Sequence, residues 1–123
     1  MTPKRTFDLL ENYVSEFPGS NAFAEKINNN WEYHTAEQYN EIAHHFAFGL
    51  LELGFKKGDK IVTVSNNRPQ WNFVDMGMAL AGVVHVPAYT SMNAEEYAYV
   101  MEHSDASMVI VSDRKLADQI KPE

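Results

Sequence analysis

The sequence predicts an α/β protein built on a layered, at least partly parallel sheet. Three observations carry this. Apolar runs rich in β-branched residues recur around Ile61–Val64, Val83–Val86 and Met108–Val111, and such runs read as strands buried on two faces. Helical patterns separate and follow these runs, so strand and helix alternate. Between the first two runs, Pro69 opens a helix and Gly82 closes it. Proline fits a first helical turn, where its missing N–H has no partner to lose, and glycine supplies the left-handed residue that ends one. Two apolar strands joined by such a crossover form a βαβ unit with parallel strands and a right-handed connection.

The elements follow in order. Thr6 is placed to cap a first helix, along which Phe7, Leu10, Val14 and Phe17 recur at helical spacing until Pro18-Gly19. A hairpin is expected next. Phe23 and Ile27 share a face with Glu25 between them, Asn28-Asn29-Asn30 signals a turn, and Trp31 and Tyr33 share a face of the return strand. Thr35 and Gln38 then form a capping box. The helix behind it buries Tyr39, Ile42, Ala43, Phe46, Ala47 and Leu50, and ends at Gly54 with Phe55 packing back. Beyond the central unit, Asn93 and Glu96 cap a helix that buries Tyr97, Val100 and Met101. Asp113 caps a last helix through Leu116, Ala117 and Ile120, which Pro122 ends. We expect residues 1–34 to supply a helix and a hairpin and residues 35–123 the βα units, with no internal domain boundary.

The 69–81 helix stands out. Trp71, Phe73, Val74, Met76, Met78, Ala79, Leu80 and Ala81 nearly surround it, with Gln70, Asn72 and Asp75 interrupting. A helix apolar all round is buried, and a short chain rarely has enough material to enclose one. The expectation is therefore a chain that self-associates or belongs to something larger.

Composition narrows the function. The chain has 123 residues, 45% of them hydrophobic, with net charge −7 and no cysteine. One folded domain fits these values. No basic patch suggests nucleic acid or an anionic membrane surface. Without cysteine there are no disulfides, thiol nucleophiles or thiolate metal sites, which favours a reducing compartment. No apolar run approaches a membrane span, and the opening residues lack a signal-peptide core. We expect a cytoplasmic protein.

Ligands of open parallel sheets collect beyond the carboxyl ends of the strands. Those ends carry Ser65-Asn66-Asn67-Arg68, Tyr89-Thr90-Ser91 and Ser112-Asp113. Asn67, Arg68, Tyr89 and Thr90 are the candidate ligand-edge residues. The same residue types serve as helix caps and turns, and we read them first that way. Arg68 can hold a carboxylate or phosphate bidentately, or pair with an acid of its own chain, the reading we favour. The sequence lacks both the G-x-G-x-x-G and the G-x-x-x-x-G-K-[ST] loops. Its five histidines have no metal-ligand spacing. His85, inside an apolar run, reads as a hydrogen-bonded core histidine. We assign no catalytic, cofactor-binding or metal residue.

One resemblance adds to this reading. FGLLELGFKKGDKIVTVSNNRPQWNFVDMGMALAGVVHVPAY, followed by AEEYAYVMEHSDASMVIV, resembles the N-terminal subdomain of the adenylate-forming enzymes over residues 31–111. Asn67-Arg68-Pro69-Gln70-Trp71 and Pro87-Ala88-Tyr89-Thr90 make it similar to the long-chain acyl-CoA synthetases in particular. The resemblance implies a parent that uses ATP, Mg2+ and coenzyme A to convert a fatty acid into an acyl-adenylate and then an acyl-CoA. It also implies that the family's phosphate loop, adenosine site and catalytic lysine fall later in the chain. The fragment alone is then expected to be inactive, to bind none of these cofactors and to self-associate, and the parent is compatible with peripheral membrane contact. A stand-alone α/β module that binds a ligand or partner near Arg68 and Tyr89 is the alternative.

Overall fold

The computed structural model describes residues 2–120. In order these form α1 (Thr6–Glu16), β1 (Asn21–Ile27), β2 (Asn30–Thr35), α2 (Ala36–Glu52), β3 (Lys60–Val64), α3 (Pro69–Ala81), β4 (Val84–Ala88), α4 (Ala94–Ser104), β5 (Met108–Val111) and α5 (Arg114–Ile120). The predicted stop at Pro122 lies outside the described residues.

The strands form two sheets. β1 and β2 make an antiparallel hairpin, and β3, β4 and β5 a parallel sheet in the order β4-β3-β5. Strands β3 and β4 are neighbours joined through α3, which is the expected βαβ unit. Side chains alternate across the sheet. Ile61 joins Leu50, Met78 and Val83 on the α2–α3 side, whereas Val62 and Val64 join Tyr97, Leu116 and Ile120 on the α4–α5 side. Thus β3 is the doubly buried strand, with Ile61, Val62 and Val64 almost inaccessible. Full burial of such side chains contributes roughly 1.5–3 kcal/mol each.

Most local signals act as the sequence implies. The capping box of α2 has Gln38 N–H donating to Thr35 Oγ1 at 3.2 Å and Gln38 Oε1 accepting from Thr35 N–H at 2.8 Å. That of α4 pairs Asn93 and Glu96 at 2.8 and 2.9 Å. Leu116 N–H donates to Asp113 Oδ1 at 2.9 Å to start α5. Gly54 and Gly82 take positive φ, 95° and 77°, beyond α2 and α3, and Phe55 N–H closes the α2 end on the Leu50 carbonyl. Asn28 and Asn29 turn the hairpin with φ of 51° and 66°, the geometry of a two-residue turn matched to strand twist.

Three expectations need correction. Thr6 does not cap α1. Arg5 holds that position, and Asp8 reaches back to accept the Lys4 and Arg5 N–H groups at 3.0 Å each. Trp31 and Tyr33 share a face as expected, and both are exposed. The opposite face carries Phe23 and His34, whose rings meet Phe73 on α3. Strand β4 is not buried on two faces but lies at an edge, with Val84 exposed and Pro87 paired only on the Thr63 side. A proline inside a strand announces an edge, because it cannot donate to a second neighbour.

The third correction concerns α3. This chain covers the helix well: every residue except Gln70 is buried or half-buried. Helices α1 and α2, the hairpin and the sheet supply the cover. Close approach to α2 makes this feasible. Ala43 and Ala47 are buried on α2, and a Cβ on Gly77 would lie 2.6 Å from Phe46 Cδ1 and 2.9 Å from the Ala43 carbonyl oxygen. What stays open is the sheet, since β4 and β5 each lack an outer strand partner among the described residues.

Candidate functional site

The carboxyl ends of β3, β4 and β5 place the candidate residues on one side of the sheet, but they do not converge. The ends of β3 and β5 are laced together. Asn66 N–H donates to Ser112 Oγ at 3.1 Å, Asn66 Nδ2 to Asp113 Oδ2 at 3.0 Å, and Arg68 Nη1 to the Ser112 carbonyl at 3.1 Å. Arg68 therefore makes no ion pair with an acid among the described residues, contrary to expectation. The capping role assigned to Asp113 holds, and its second oxygen ties the β3 loop to the same turn.

Tyr89 and Thr90 lie apart. Tyr89 is 79% exposed, and its carbonyl accepts the buried Tyr97 hydroxyl at 2.7 Å. Thr90 is half-buried. Neither lines the cleft that holds Asn67 and Arg68.

That cleft, of about 730 Å3, lies between the hairpin and the start of α3. One wall is the run Phe23–Lys26 of β1, with Trp31 beside it, and the other is Ser65, Asn67, Arg68, Pro69, Trp71 and Asn72. The β1 residues are consecutive because the strand turns its unpaired edge to the cleft. Sequence reasoning found Asn67 and Arg68 but missed Lys26, Trp31 and Trp71. Half of the missing signal was available. A two-residue turn at Asn28-Asn29 fixes Lys26 opposite Trp31, and Lys26 Nζ sits 5.9 Å from that ring's centroid. Nothing local tells that the hairpin faces the β3 loop.

A second polar set lies under Trp71. His85 Nδ1 is 2.7 Å from Asp75 Oδ1, and its Nε2 is 2.7 Å from Thr63 Oγ1. The Trp71 ring packs against the imidazole at 4.9 Å between centroids, tilted by 50°. Both ring nitrogens have partners, so His85 is the hydrogen-bonded core histidine that the sequence implied. The Asp-His-Thr order is that of a nucleophile with its base, yet Thr63 is buried and the space beside it measures about 90 Å3, too small for a substrate. Tyr39 completes the neighbourhood. Burial, and secondarily the Asp75 charge, push its phenol up to about 12.

No group of three or more His, Asp or Glu side chains among the described residues is arranged to hold a metal ion. The sequence also has no glycine-rich phosphate loop. The residues present do not fit a magnesium-triphosphate group. No described helix is long and apolar enough to cross a membrane.

The fold defines a class first: a parallel α/β unit, covered on both faces, whose loops open at the carboxyl edge. Residues 10–123 match the family described as AMP-binding enzyme, and the chain belongs to that family. It is 24% identical to a long-chain-fatty-acid–CoA ligase of Bos taurus, over 97% of this chain and 16% of the relative. It is 36% identical to 4-hydroxybutyrate–CoA ligase 2 of Metallosphaera sedula, over 63% of this chain and 15% of the relative. Among solved structures it superposes on the N-terminal domain of FACL13 from Mycobacterium tuberculosis with TM-score 0.86 and 25% identity, covering 98% of this chain and 31% of that one. The chain spans about one sixth of the length of the curated relatives it matches.

Proposed function

We propose that residues 1–123 are the N-terminal segment of the large adenylation domain of an AMP-forming long-chain fatty acid–CoA ligase. In the parent, a fatty carboxylate attacks the α-phosphorus of ATP, with Mg2+ present, and pyrophosphate leaves. The coenzyme A thiol then attacks the acyl-adenylate carbonyl, and AMP leaves. No step of this chemistry falls on the residues of this chain. Their part is to build the first strands of the sheet and anchor its carboxyl-edge loops. The reading places the parent in the cytoplasm, with peripheral membrane contact for its fatty substrate.

The observation that carries the proposal is the family match over residues 10–123 joined to relatives that are CoA ligases. The test is ATP–pyrophosphate exchange with a long-chain fatty acid and Mg2+. The 123-residue chain is expected to give no exchange, and the same chain extended through its downstream coding sequence to give exchange that depends on the acid. Turnover by the short chain would sink the inactivity claim. An extended chain that adenylates only short hydroxy acids would sink the long-chain assignment.

The enclosure of α3 by this chain alone favours a second reading, an independently folding binding module. Calorimetry with acyl compounds and nucleotides tests this second reading. Saturable binding lost in Arg68→Ala supports the module, and silence across the panel counts against it.

A further inference from the structure

We infer that the cleft between the hairpin and the start of α3 is a binding site for a flat aromatic ring bearing an anionic group. This inference stands on the cleft and does not depend on the ligase reading. Its volume of about 730 Å3 falls in the range of small-molecule sites. Two tryptophans from separate elements, Trp31 on β2 and Trp71 on α3, line it. The Trp71 ring packs against His85 at 4.9 Å between centroids, tilted by 50°, a contact that braces the indole. Trp31 is 57% exposed, which leaves ring surface open to a stacking ligand.

The charges fix the second half of the ligand. Lys26 and Arg68 line the cleft and Glu25 is its one acid, so the lining is cationic in a chain of net charge −7. Lys26 has no acidic partner among the described residues; its ammonium only approaches the Trp31 ring. Arg68 spends a single Nη1 donor on the Ser112 carbonyl, leaving most of a guanidinium fork suited to a carboxylate or phosphate. The Asn67 and Asn72 side chains, also in the lining, hold no protein hydrogen bond among the described residues and can complete the shell. Glu25 favours a ring that carries a hydrogen-bond donor.

The chain has two tryptophans and both line this cleft, so intrinsic fluorescence reads its occupancy directly. The probes are adenosine 5′-monophosphate as the aromatic phosphate and an aminonaphthoate as the aromatic carboxylate, with selective tryptophan excitation and correction for absorbance. Octanoate and inorganic phosphate test the anion without the ring, and adenosine the ring without the anion. At least one ring-bearing anion is expected to change the emission saturably, and the one that does identifies the anion. Lys26→Gln and Arg68→Gln are each expected to weaken binding about tenfold, the scale of one charge-assisted hydrogen bond. Trp31→Phe and Trp71→Phe are each expected to keep part of the signal. Circular dichroism checks that every variant is folded. Equal response to octanoate or adenosine, or affinity unchanged in both cation variants, would overturn the inference. So would no saturable change with either aromatic anion.

Discussion

His85 on β4 and Asp75 on α3 are joined by a 2.7 Å contact between Nδ1 and Oδ1, and the far nitrogen of the same ring meets Thr63 Oγ1 at 2.7 Å. One imidazole thus ties a helix to two adjacent strands. The carboxylate accepts, so Nδ1–H donates, and in the neutral ring Nε2 accepts from the threonine hydroxyl. The His85 side chain is 8% exposed and that of Asp75 40%. Water can replace histidine at the carboxylate but not at the hydroxyl. His85→Leu and Thr63→Val are each expected to cost about 1–3 kcal/mol, because each strands a buried polar atom. The double variant should cost less than the sum by about 1 kcal/mol. Urea unfolding of the four proteins checks this, and strict additivity would show the contacts to be energetically idle.

Gly77 marks where α3 touches α2. Its absent Cβ would press on a ring and on a backbone carbonyl at once. The ring can rotate, whereas the Ala43 carbonyl belongs to the α2 ladder and cannot. Gly77→Ala is expected to destabilise by about 1–3 kcal/mol, the usual range for overpacking, despite alanine's better helix propensity. Adding Phe46→Leu should recover only part of the loss. A Gly77→Ala chain that melts higher than the parent sequence would contradict the close approach.

These two sites also mark the limit of what the sequence discloses. Caps and turns are local, so Thr35 with Gln38, Asn93 with Glu96 and Gly82 were legible from spacing alone. Thr6 failed because Asp8 offered the stronger acceptor and drew its own N-terminal N–H groups from Lys4 and Arg5. The apolar cover of α3 was visible, but its enclosure depends on small residues at 43, 47 and 77 meeting across two helices. Of the candidate site, Asn67 and Arg68 were legible from the end of a strand. Their partners Lys26, Trp31 and Trp71 come together only through the packing of the hairpin, which no local pattern encodes.

Asp8 predicts an acid-sensitive N-terminus. The Arg5 side-chain bond first, and then the Lys4 N–H, hold its carboxyl at about 2 instead of 3.8. A depressed folded value means that the stabilisation is complete above pH 3.8 and is lost as pH falls towards 2. Melting temperature followed from pH 6 to pH 2 should drop across that window. In Asp8→Asn the plateau should be lower and the drop smaller. A drop of the same size in the variant would place the acid sensitivity elsewhere.

Tyr39 makes the opposite prediction at high pH. Its phenol is raised from 10 to about 12 by burial, with Asp75 adding repulsion. The folded state therefore favours the neutral ring, and the stabilisation present below pH 10 is lost as pH rises towards 12. Ultraviolet titration should contain a late phenolate step that Tyr39→Phe removes. Asp75→Asn should move that step down only in part, because burial is the larger cause. A step unmoved by Tyr39→Phe would assign it to another tyrosine.

The open sheet predicts association. Strands β4 and β5 each present an outer edge without a partner among the described residues, and Val84 on β4 is 45% exposed. Unpaired edges recruit other strands, and Pro87 blocks one N–H of β4 but leaves the rest of that edge free. Exposed Phe48, Leu51 and Leu53 on and beyond α2 add apolar surface on a second side. Light scattering across a concentration series is expected to give a dimer or larger species. Val84→Lys should shift the equilibrium towards monomer if the β4 edge is the junction, and Leu53→Lys should do so if the α2 side is. A monomer at every concentration would mean that this chain protects its edges unaided, and would remove self-association from the account of how it behaves on its own.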